Sequence, residues 1–526
     1  MDKHNEGMSF LIDCLAITGG ILAVFISYRL IDPLASTSIV EFIRQKPQTI
    51  DVFILISPLI IGLVAWCLIY SLNPFSKGLS YGDAQWATLA QIKKMGLLAK
   101  EGLILAVKNN RYIRVKTNLS LTCIAPPGSG KTAGLAIPLL FSLKRSMLVH
   151  DVKRELYGLT SKRRSEFGPV KLFSPTEPNS HCFNPFDKQF LKPGIDNNLG
   201  LINQVATMLI REETGKVDNW IGDARILFKT YALYLIWKNG ETSLPAIRAF
   251  SISTPEPKKQ LLDIIDDAEE EGITIPVELR LSLNRSASKP IKEFDTVHGT
   301  MTRFLDIFAE PNIKRTFSNC DISIPEIRSQ CTTVYLHVPV VDIERLSPLI
   351  SIFCEMVGNH LLSHKKQDND QEVFFLLDEF IWLGKMDSVL KLPSLSRSEG
   401  VSCIFIFQSY SQAEGLYGKA AVSALKGTCG YQIILPQNEF ETAEEISRTV
   451  GEETRTRKST SRQQGKKSTS ESAEGHRLIK AQSLLSMKEG TCIILAQNHF
   501  QTPILAKQCR WFEDNNMKNL NGSIEG

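Results

Sequence analysis

The sequence lacks the cysteine and histidine patterns that mark zinc-binding or disulfide-rich proteins. Its 11 cysteines are scattered over 526 residues, and none forms a CxxC pair or a Cys/His cluster with zinc-ligand spacing. The HExxH motif of membrane metalloproteases is also missing, which excludes that class of protease. Scattered thiols in odd number are typical of a cytosolic protein whose cysteines stay reduced.

A strong excess of charge of either sign is missing too. The 60 basic and 56 acidic residues leave a formal net charge of only +4 at pH 7. The chain therefore does not have the strongly basic surface of a general nucleic-acid-binding protein, and any contact with nucleic acid must be local. Its length is enough for two or three domains with a large core.

Two apolar segments stand out near the N-terminus. Residues 52–70 carry no charge and are long enough to cross a bilayer, and residues 10–28 are nearly as apolar, with Asp13 near their start. A cleaved signal peptide is the alternative interpretation of residues 10–28, although few positive charges precede them. We therefore predict a membrane anchor in residues 1–72, formed by two transmembrane helices and a short periplasmic loop.

A phosphate-binding loop is predicted after the strand-like run Leu119–Ile124. The following residues, APPGSGKT, match Gly-x-x-x-x-Gly-Lys-Ser/Thr except that Ala125 replaces the first glycine. Gly128 and Gly130 matter more, because backbone N–H groups must crowd around phosphate oxygens at a helix N-terminus. A chance match to this short pattern is the alternative interpretation, so a second motif is needed to decide whether the chain binds nucleotide.

Within this loop, Lys131 would contact the β- and γ-phosphates, and the hydroxyl of Thr132 would bind Mg²⁺. The pattern thus predicts ATP and Mg²⁺ as cofactors. The predicted nucleotide-binding residues are Pro127, Gly128, Ser129, Gly130, Lys131, Thr132 and Ala133.

The second motif is a pair of acids after an apolar strand. Residues 372–377 run directly into Asp378 and Glu379. Such a strand end places Asp378 beside the Mg²⁺ and Glu379 over the attacking water. Acids that cap the next helix would explain one of the two but not the pair. The two motifs together predict an ATP-hydrolysing enzyme.

Two further strand ends carry polar residues. The buried run Ser146–His150 ends at Asp151, which either faces the ligand or caps the next helix. The run Cys403–Phe407 ends at Gln408, which either contacts the γ-phosphate or water, or simply caps the strand.

Arg397 lies in a Ser/Gly-bracketed turn before the strand that ends at Gln408. A guanidinium can stabilise the charge of the transition state, and in RecA-like rings this edge of the sheet faces the nucleotide of the neighbouring subunit, so that Arg397 would act in trans. A surface arginine is the alternative interpretation, and Arg448 is the rival candidate for this trans-acting role.

The fold class indicated is α/β, with an all-α domain inserted at residues 197–315. The nucleotide-binding domain occupies residues 73–196 and 316–513, and a polar tail spans 514–526. Helical periodicity in the insertion is clearest at Leu201–Ile210, Ile221–Trp237, Leu261–Glu271 and Val297–Phe308.

Other segments give more local predictions. A helix is expected at residues 89–98, and Pro138 should kink or end the first part of the helix after the phosphate loop. Residues 504–512 are predicted to form an edge strand. The basic, Ser/Thr-rich residues 454–475 are predicted to be a disordered loop. Further strands are expected at 332–338, 431–435 and 492–496, and a long helix at 347–364.

Together these features resemble the type IV secretion coupling proteins, the TraG/TraD-like ATPases of bacterial conjugation. The resemblance covers nearly the whole chain. Besides the two spans and the phosphate loop, it depends on YGDAQWA (81–87), HDVKREL (150–156), LLDEFIWLGKM (376–386), FQSYSQ (407–412) and HRLIKAQSLL (476–485). Ala125 and the basic segment after Thr454 depart from the general pattern.

The resemblance implies a homohexameric, RecA-like motor at the bacterial inner membrane, with most of the chain cytoplasmic. Such a motor receives relaxase-bound single-stranded DNA or effector proteins and passes them to inner-membrane components of the secretion channel. One alternative is an FtsK-like double-stranded DNA translocase, although further spans and a winged-helix reader are not visible. Another is a docking receptor gated by nucleotide, against which Glu379 argues.

Overall fold

The computed structural model describes residues 82–212, 219–395, 398–463 and 466–524. They belong to two compact units, one formed by Met1–Asp83 and Thr454–His476 and the other by Ala84–Glu453 and Arg477–Gly526. The predicted spans at 10–28 and 52–70 lie outside the described residues. Within the described ranges, no helix combines the length and apolarity that a membrane crossing requires.

Thirteen strands occur in the described ranges. They are β1 (Leu103–Lys108), β2 (Arg111–Val115), β3 (Leu121–Ile124), β4 (Ser146–His150), β5 (Val170–Phe173), β6 (Thr333–Leu336), β7 (Val373–Leu377), β8 (Val401–Phe407), β9 (Tyr431–Ile434), β10 (Glu452–Gln463), β11 (Lys466–Arg477), β12 (Thr491–Ala496) and β13 (Ile504–Lys507). Eleven of them form one sheet in the order β2-β1-β13-β12-β9-β3-β8-β7-β4-β6-β5.

The sheet has a parallel part and an antiparallel part. The strands from β9 to β5 run parallel, whereas β12, β13, β1 and β2 extend the sheet with antiparallel pairs. The central strands are apolar runs buried along their whole length, as expected when helices cover both faces of a parallel sheet. In β7, Phe375 and Leu377 pack into one core cluster and Phe374 and Leu376 into the other, because successive residues of a strand point to opposite faces.

The prediction of an edge strand at 504–512 is wrong. The strand is shorter, Ile504–Lys507, and it lies inside the sheet between β12 and β1. The reason is that β1 and β2, which the sequence analysis did not predict, continue the sheet beyond it.

Seventeen α-helices are found in the same described ranges. They are α1 (Leu89–Lys94), α2 (Ile137–Ser142), α3 (Glu155–Ser165), α4 (Leu199–Leu209), α5 (Ile221–Asn239), α6 (Leu244–Ser251), α7 (Pro257–Glu270), α8 (Val277–Ala287), α9 (Ile291–Leu305), α10 (Pro311–Ser318), α11 (Ile324–Ser329), α12 (Ile343–Ser363), α13 (Asp387–Leu395), α14 (Tyr410–Tyr417), α15 (Lys419–Thr428), α16 (Phe440–Val450) and α17 (Ala481–Leu485).

The four helices predicted in the 197–315 segment are present as α4, α5, α7 and α9, and α6, α8 and α10 accompany them. Helix α5 packs against α4, α8 and α9 and buries large side chains such as Phe228 and Tyr231. Several of these helices have proline in the first turn, where its missing N–H has no partner to lose. Whether this segment is a separate domain stays a prediction.

The prediction of a disordered loop at 454–475 is wrong. Strands β10 and β11 pair as a two-stranded sheet. The segment is rich in serine and threonine, and threonine, which branches at Cβ, favours the extended backbone. Within this unit, the Thr454 hydroxyl donates to the Gly82 carbonyl at 2.9 Å and accepts from the Gly82 N–H at 3.2 Å.

Candidate nucleotide-binding site

The sheet brings the predicted site residues to one edge. In the parallel register, Ile124 of β3 lies beside Phe407 of β8, and Leu377 of β7 lies beside His150 of β4. The residues that follow these strand ends are the phosphate loop, Gln408, the Asp378–Glu379 pair and Asp151. They therefore share the carboxyl edge, where α/β sheets bind ligands.

The phosphate loop has the backbone that its two glycines allow. Gly128 and Gly130 have φ of +76° and +82°, in the left-handed region that a Cβ disfavours. Ser129 closes the turn, since its hydroxyl donates to the Pro126 carbonyl at 2.6 Å. The loop thus presents consecutive amides at the start of a helix, as phosphate binding requires.

The helix after the loop changes character at Pro138. Thr132–Ala136 form a π-helical turn, and α2 begins at Ile137 with Pro138 in its first turn. The helical backbone nevertheless continues from Lys131 to Ser142, so the helix does not end at Pro138, and the π-helical turn is the irregularity that precedes the proline.

Lys131 lies between the two predicted acids. Its Nζ forms an ion pair with Glu379 Oε1 and is 3.9 Å from Asp378 Oδ1, and all three side chains are largely buried. Gln408 completes the group, since its Nε2 donates to Glu379 Oε2 at 2.8 Å. The structure therefore brings together four of the residues that the sequence singled out.

Glu379 has an unusual backbone conformation. Its φ of 53° and ψ of 49° are left-handed, and such a conformation is costly for a residue other than glycine unless the surroundings enforce it. The chain reverses there, directly after β7, so that two consecutive acids both approach Lys131. Strained residues of this kind cluster at functional sites.

The Asp378 carboxylate fits a divalent cation. Burial raises its pKa to about 6, with Glu379 and Asp151 acting in the same direction and Lys131 opposing them. Its Oδ1 is buried and accepts no hydrogen bond from the described residues. Asp378, Thr132 and Asp151 line one cleft, and Mg²⁺ is commonly held by one or two carboxylates together with phosphate oxygens.

Two buried histidines form hydrogen bonds with backbone carbonyls at the strand ends. His150 Nδ1 donates to the Asp378 carbonyl at 2.5 Å, and His337 Nδ1 donates to the Asp151 carbonyl at 2.9 Å. Burial lowers the pKa of His150 to about 4, so this ring is neutral near pH 7. Neither histidine is predicted from the sequence to belong to the site.

Asp151 both caps a helix and lines the cleft. Its Oδ2 accepts from the Tyr157 N–H at 2.7 Å in the first turn of α3, which is the capping role considered from the sequence. It also lines the cleft with Lys131 and Asp378. Burial raises its pKa to about 6.

Gln508 is a further site residue that the sequence analysis missed. It follows β13, and its Nε2 donates to the Ser129 carbonyl in the phosphate loop at 2.8 Å. A Cβ at Gly130 or Gly134 would come within 3 Å of Gln508 Oε1. The side chain is buried and forms the floor of the loop. Only the position of β13 inside the sheet reveals this contact.

The two arginine candidates are not resolved by the structure. Arg397 lies outside the described residues. Arg448 is in α16, where its largely exposed guanidinium is 3.2 Å from Glu444 Oε1. The trans-acting role therefore stays a prediction for both.

The amino-acid sequence is similar to a known protein family and to several of its members. The family model described as "Type IV secretory system Conjugative DNA transfer" matches residues 85–524. Protein VirD4 of Rhizobium radiobacter is 28% identical over 481 residues, which cover 84% of this chain and 65% of that protein. The conjugal transfer protein TraG of Escherichia coli is 24% identical over 421 residues, covering 71% of this chain and 64% of TraG. The chain thus spans about two thirds of the length of these relatives.

Solved structures show the same fold. The bacterial conjugative coupling protein TrwB, in a complex with sulphate, matches with a TM-score of 0.59 at 16% sequence identity. TrwB in complex with ADP and Mg²⁺ matches with a TM-score of 0.57 at the same identity. Each match covers 81% of this chain and 93% of the TrwB chain.

Proposed function

Because the chain belongs to the type IV secretory system conjugative DNA transfer family, we propose that it is a coupling ATPase. It receives relaxase-bound single-stranded DNA or effector proteins and drives them into the secretion channel. VirD4 and TraG, its relatives by sequence, favour this function over an FtsK-like chromosome translocase.

The observation that carries the proposal is the contact of Lys131 with Glu379, completed by Asp378 and Gln408. A site that only binds nucleotide needs the loop and its lysine. It does not need a second, strained carboxylate held at both oxygens. This arrangement supports hydrolysis and favours an ATPase over a docking receptor gated by nucleotide.

The residues divide the chemistry as follows. The amides of residues 128–132 and the Lys131 ammonium bind and orient the phosphates. When Lys131 turns to the phosphates, Glu379 Oε1 is released and accepts the proton of the attacking water. Gln408 keeps the other carboxylate oxygen in place throughout.

ATP and Mg²⁺ are the proposed cofactors, and TrwB in complex with ADP and Mg²⁺ supports them by fold similarity. The Thr132 hydroxyl and the Asp378 carboxylate would hold the Mg²⁺ ion. When bound, the ion supplies positive charge that neutralises the phosphate oxygens.

The proposed location is the bacterial inner membrane, with the two apolar segments at 10–28 and 52–70 as the anchor and most of the chain in the cytoplasm. The proposed assembly is a homohexamer in which Arg397 or Arg448 reaches the nucleotide of a neighbouring subunit. Components of the secretion channel in the inner membrane are the proposed partners.

Replacement of Lys131 tests the proposal. Lys131→Ala should abolish ATP turnover and cargo transfer while membrane insertion persists, because this side chain acts on phosphates. Mating and secretion assays measure transfer, and Lys419→Ala, which removes an exposed lysine of α15, is the matched control. Full transfer by Lys131→Ala would refute the motor.

A further inference from the structure

A second cleft lies at the opposite edge of the sheet from the phosphate loop. Its walls include residues that precede three parallel strands: Asn118 before β3, Arg145 before β4, and Glu372 before β7. Because the amino ends of parallel strands share one edge, this cleft is separate from the nucleotide site. Its volume is about 590 Å³, the size of a small-ligand site.

The cleft concentrates positive charge. Five basic side chains and two acidic ones line it, a local excess of three positive charges in a chain whose whole excess is four. The basic residues are Lys100, Arg114, Lys116, Lys144 and Arg145. Such a concave basic surface attracts anions.

Part of this charge is already engaged inside the protein. Arg145 Nε forms an ion pair with Glu372 Oε2 at 3.2 Å, and Arg114 Nη1 donates to the Lys100 carbonyl. Both guanidinium groups are therefore held in place as part of the wall. The Nε of Arg114 is buried and has no hydrogen-bond partner in the described part of the chain.

Three lysines are available for a ligand. Lys100, Lys116 and Lys144 are exposed, and none forms an ion pair with another described residue. They come from three different segments of the chain that the fold brings to one cleft. Three ammonium groups around a pocket suit the oxygens of a phosphate group.

We propose that this cleft binds the phosphate headgroup of an anionic phospholipid. The proposal rests on the membrane location given under the proposed function, since Lys100, Arg114 and Lys116 belong to the first strands after the predicted anchor and their connecting segments. Basic groups near an anionic leaflet each add to its attraction. The pocket is concave, and it suits a headgroup better than a nucleic-acid duplex, which presents a convex surface.

Lysine labelling tests the proposal on the full chain in neutral detergent micelles. Acetylation of Lys100, Lys116 and Lys144 is followed by mass spectrometry as dihexanoyl phosphatidylglycerol is added. We expect labelling of these three lysines to fall at least about threefold, whereas labelling of Lys419 stays constant. Dihexanoyl phosphatidylcholine should protect far less, and protection should weaken with salt.

A charge-removal variant gives the second arm. The triple change Lys100→Gln, Lys116→Gln and Lys144→Gln should weaken phosphatidylglycerol binding by on the order of 100-fold, about fivefold for each lysine. Affinity for ATP should be unchanged, because these residues lie at the other edge of the sheet. Lys419→Gln is the matched control and should bind the lipid as the unaltered chain does.

The outcomes separate the sources of phosphate. Equal protection by both lipids, or protection by inorganic phosphate as strong as by phosphatidylglycerol, would overturn the lipid assignment. Protection by a single-stranded oligonucleotide alone would assign the cleft to nucleic acid and overturn it as well. Loss of membrane fractionation in cells with intact lipid protection would refute the proposed location but leave the binding site standing.

Discussion

Glu379→Gln should raise nucleotide affinity while it slows hydrolysis. In the structure, Glu379 Oε1 holds the Lys131 ammonium that phosphate binding needs. A hydrogen bond to a charged group contributes about 1.5–3 kcal/mol. Binding of ATP must break this contact, and the neutral amide competes for Lys131 much less. Since about 1.4 kcal/mol corresponds to a factor of ten, we expect affinity for ATP to rise about tenfold.

Turnover should move in the opposite direction. The amide keeps the size of the side chain and one acceptor for Gln408, but it cannot accept the proton of the water. A positioned base contributes about 10²–10⁴ to the rate, so the rate of hydrolysis should fall by about 10² or more. The protein itself should stay folded, because Lys131 retains Asp378 at 3.9 Å as a counter-charge.

Two assays separate these effects. Titration with a fluorescent, non-hydrolysable ATP analogue measures affinity, and phosphate release measures turnover. Glu166→Gln is the matched control, since it removes a carboxylate from an ion pair with Arg163 at the end of α3. If Glu379→Gln lost affinity and turnover together, Glu379 would be a structural cap and the assignment of the base would be refuted.

Three further changes test the surroundings of the site. The pKa of Asp151 is raised to about 6 in the folded protein, so the stability that this carboxyl group contributes is full below its unfolded-state pKa and is lost as pH rises through 6. Asp151→Asn should therefore increase the free energy of unfolding by on the order of 3 kcal/mol at pH 7 and by little near pH 4. Equal shifts in chemical denaturation at both pH values would contradict this. Gln508→Leu should raise KM for ATP about fivefold through loss of one hydrogen bond to the phosphate loop, and a kcat effect with unchanged KM would argue against it. Arg397→Ala should lower hydrolysis by about 10³ or more with ATP affinity retained, and mixing with Lys131→Ala subunits should restore part of the activity. Absence of rescue at every mixing ratio in confirmed hexamers would leave Arg448 as the candidate.

The predictions that succeeded were those that depend on local sequence. Strands β4, β7 and β9 lie within a residue of their predicted bounds, because a parallel strand buried on both faces is a continuous apolar run between polar ends. The acid pair after β7 was likewise recognisable, since Asp378 and Glu379 break such a run abruptly.

The predictions that failed concerned pairing between distant segments. Strand β13 was expected at an edge, but β1 covers it, and these strands are nearly 400 residues apart in the chain. The polar composition of the segment at 454–475 predicts disorder, yet β10 and β11 pair as a two-stranded sheet. Composition describes solubility, whereas pairing depends on which backbone groups find partners.

The sequence by itself determined the chemistry of the nucleotide site. The turn, the lysine and the two acids each follow a strand whose apolar run is visible in the chain, and parallel strands must bring their carboxyl ends to one edge. Only the tertiary structure decided how these groups meet. The contact of Lys131 with Glu379, the left-handed turn at Glu379 and the floor formed by Gln508 depend on segments far apart in the chain, and their distances are set by the packing of the whole sheet.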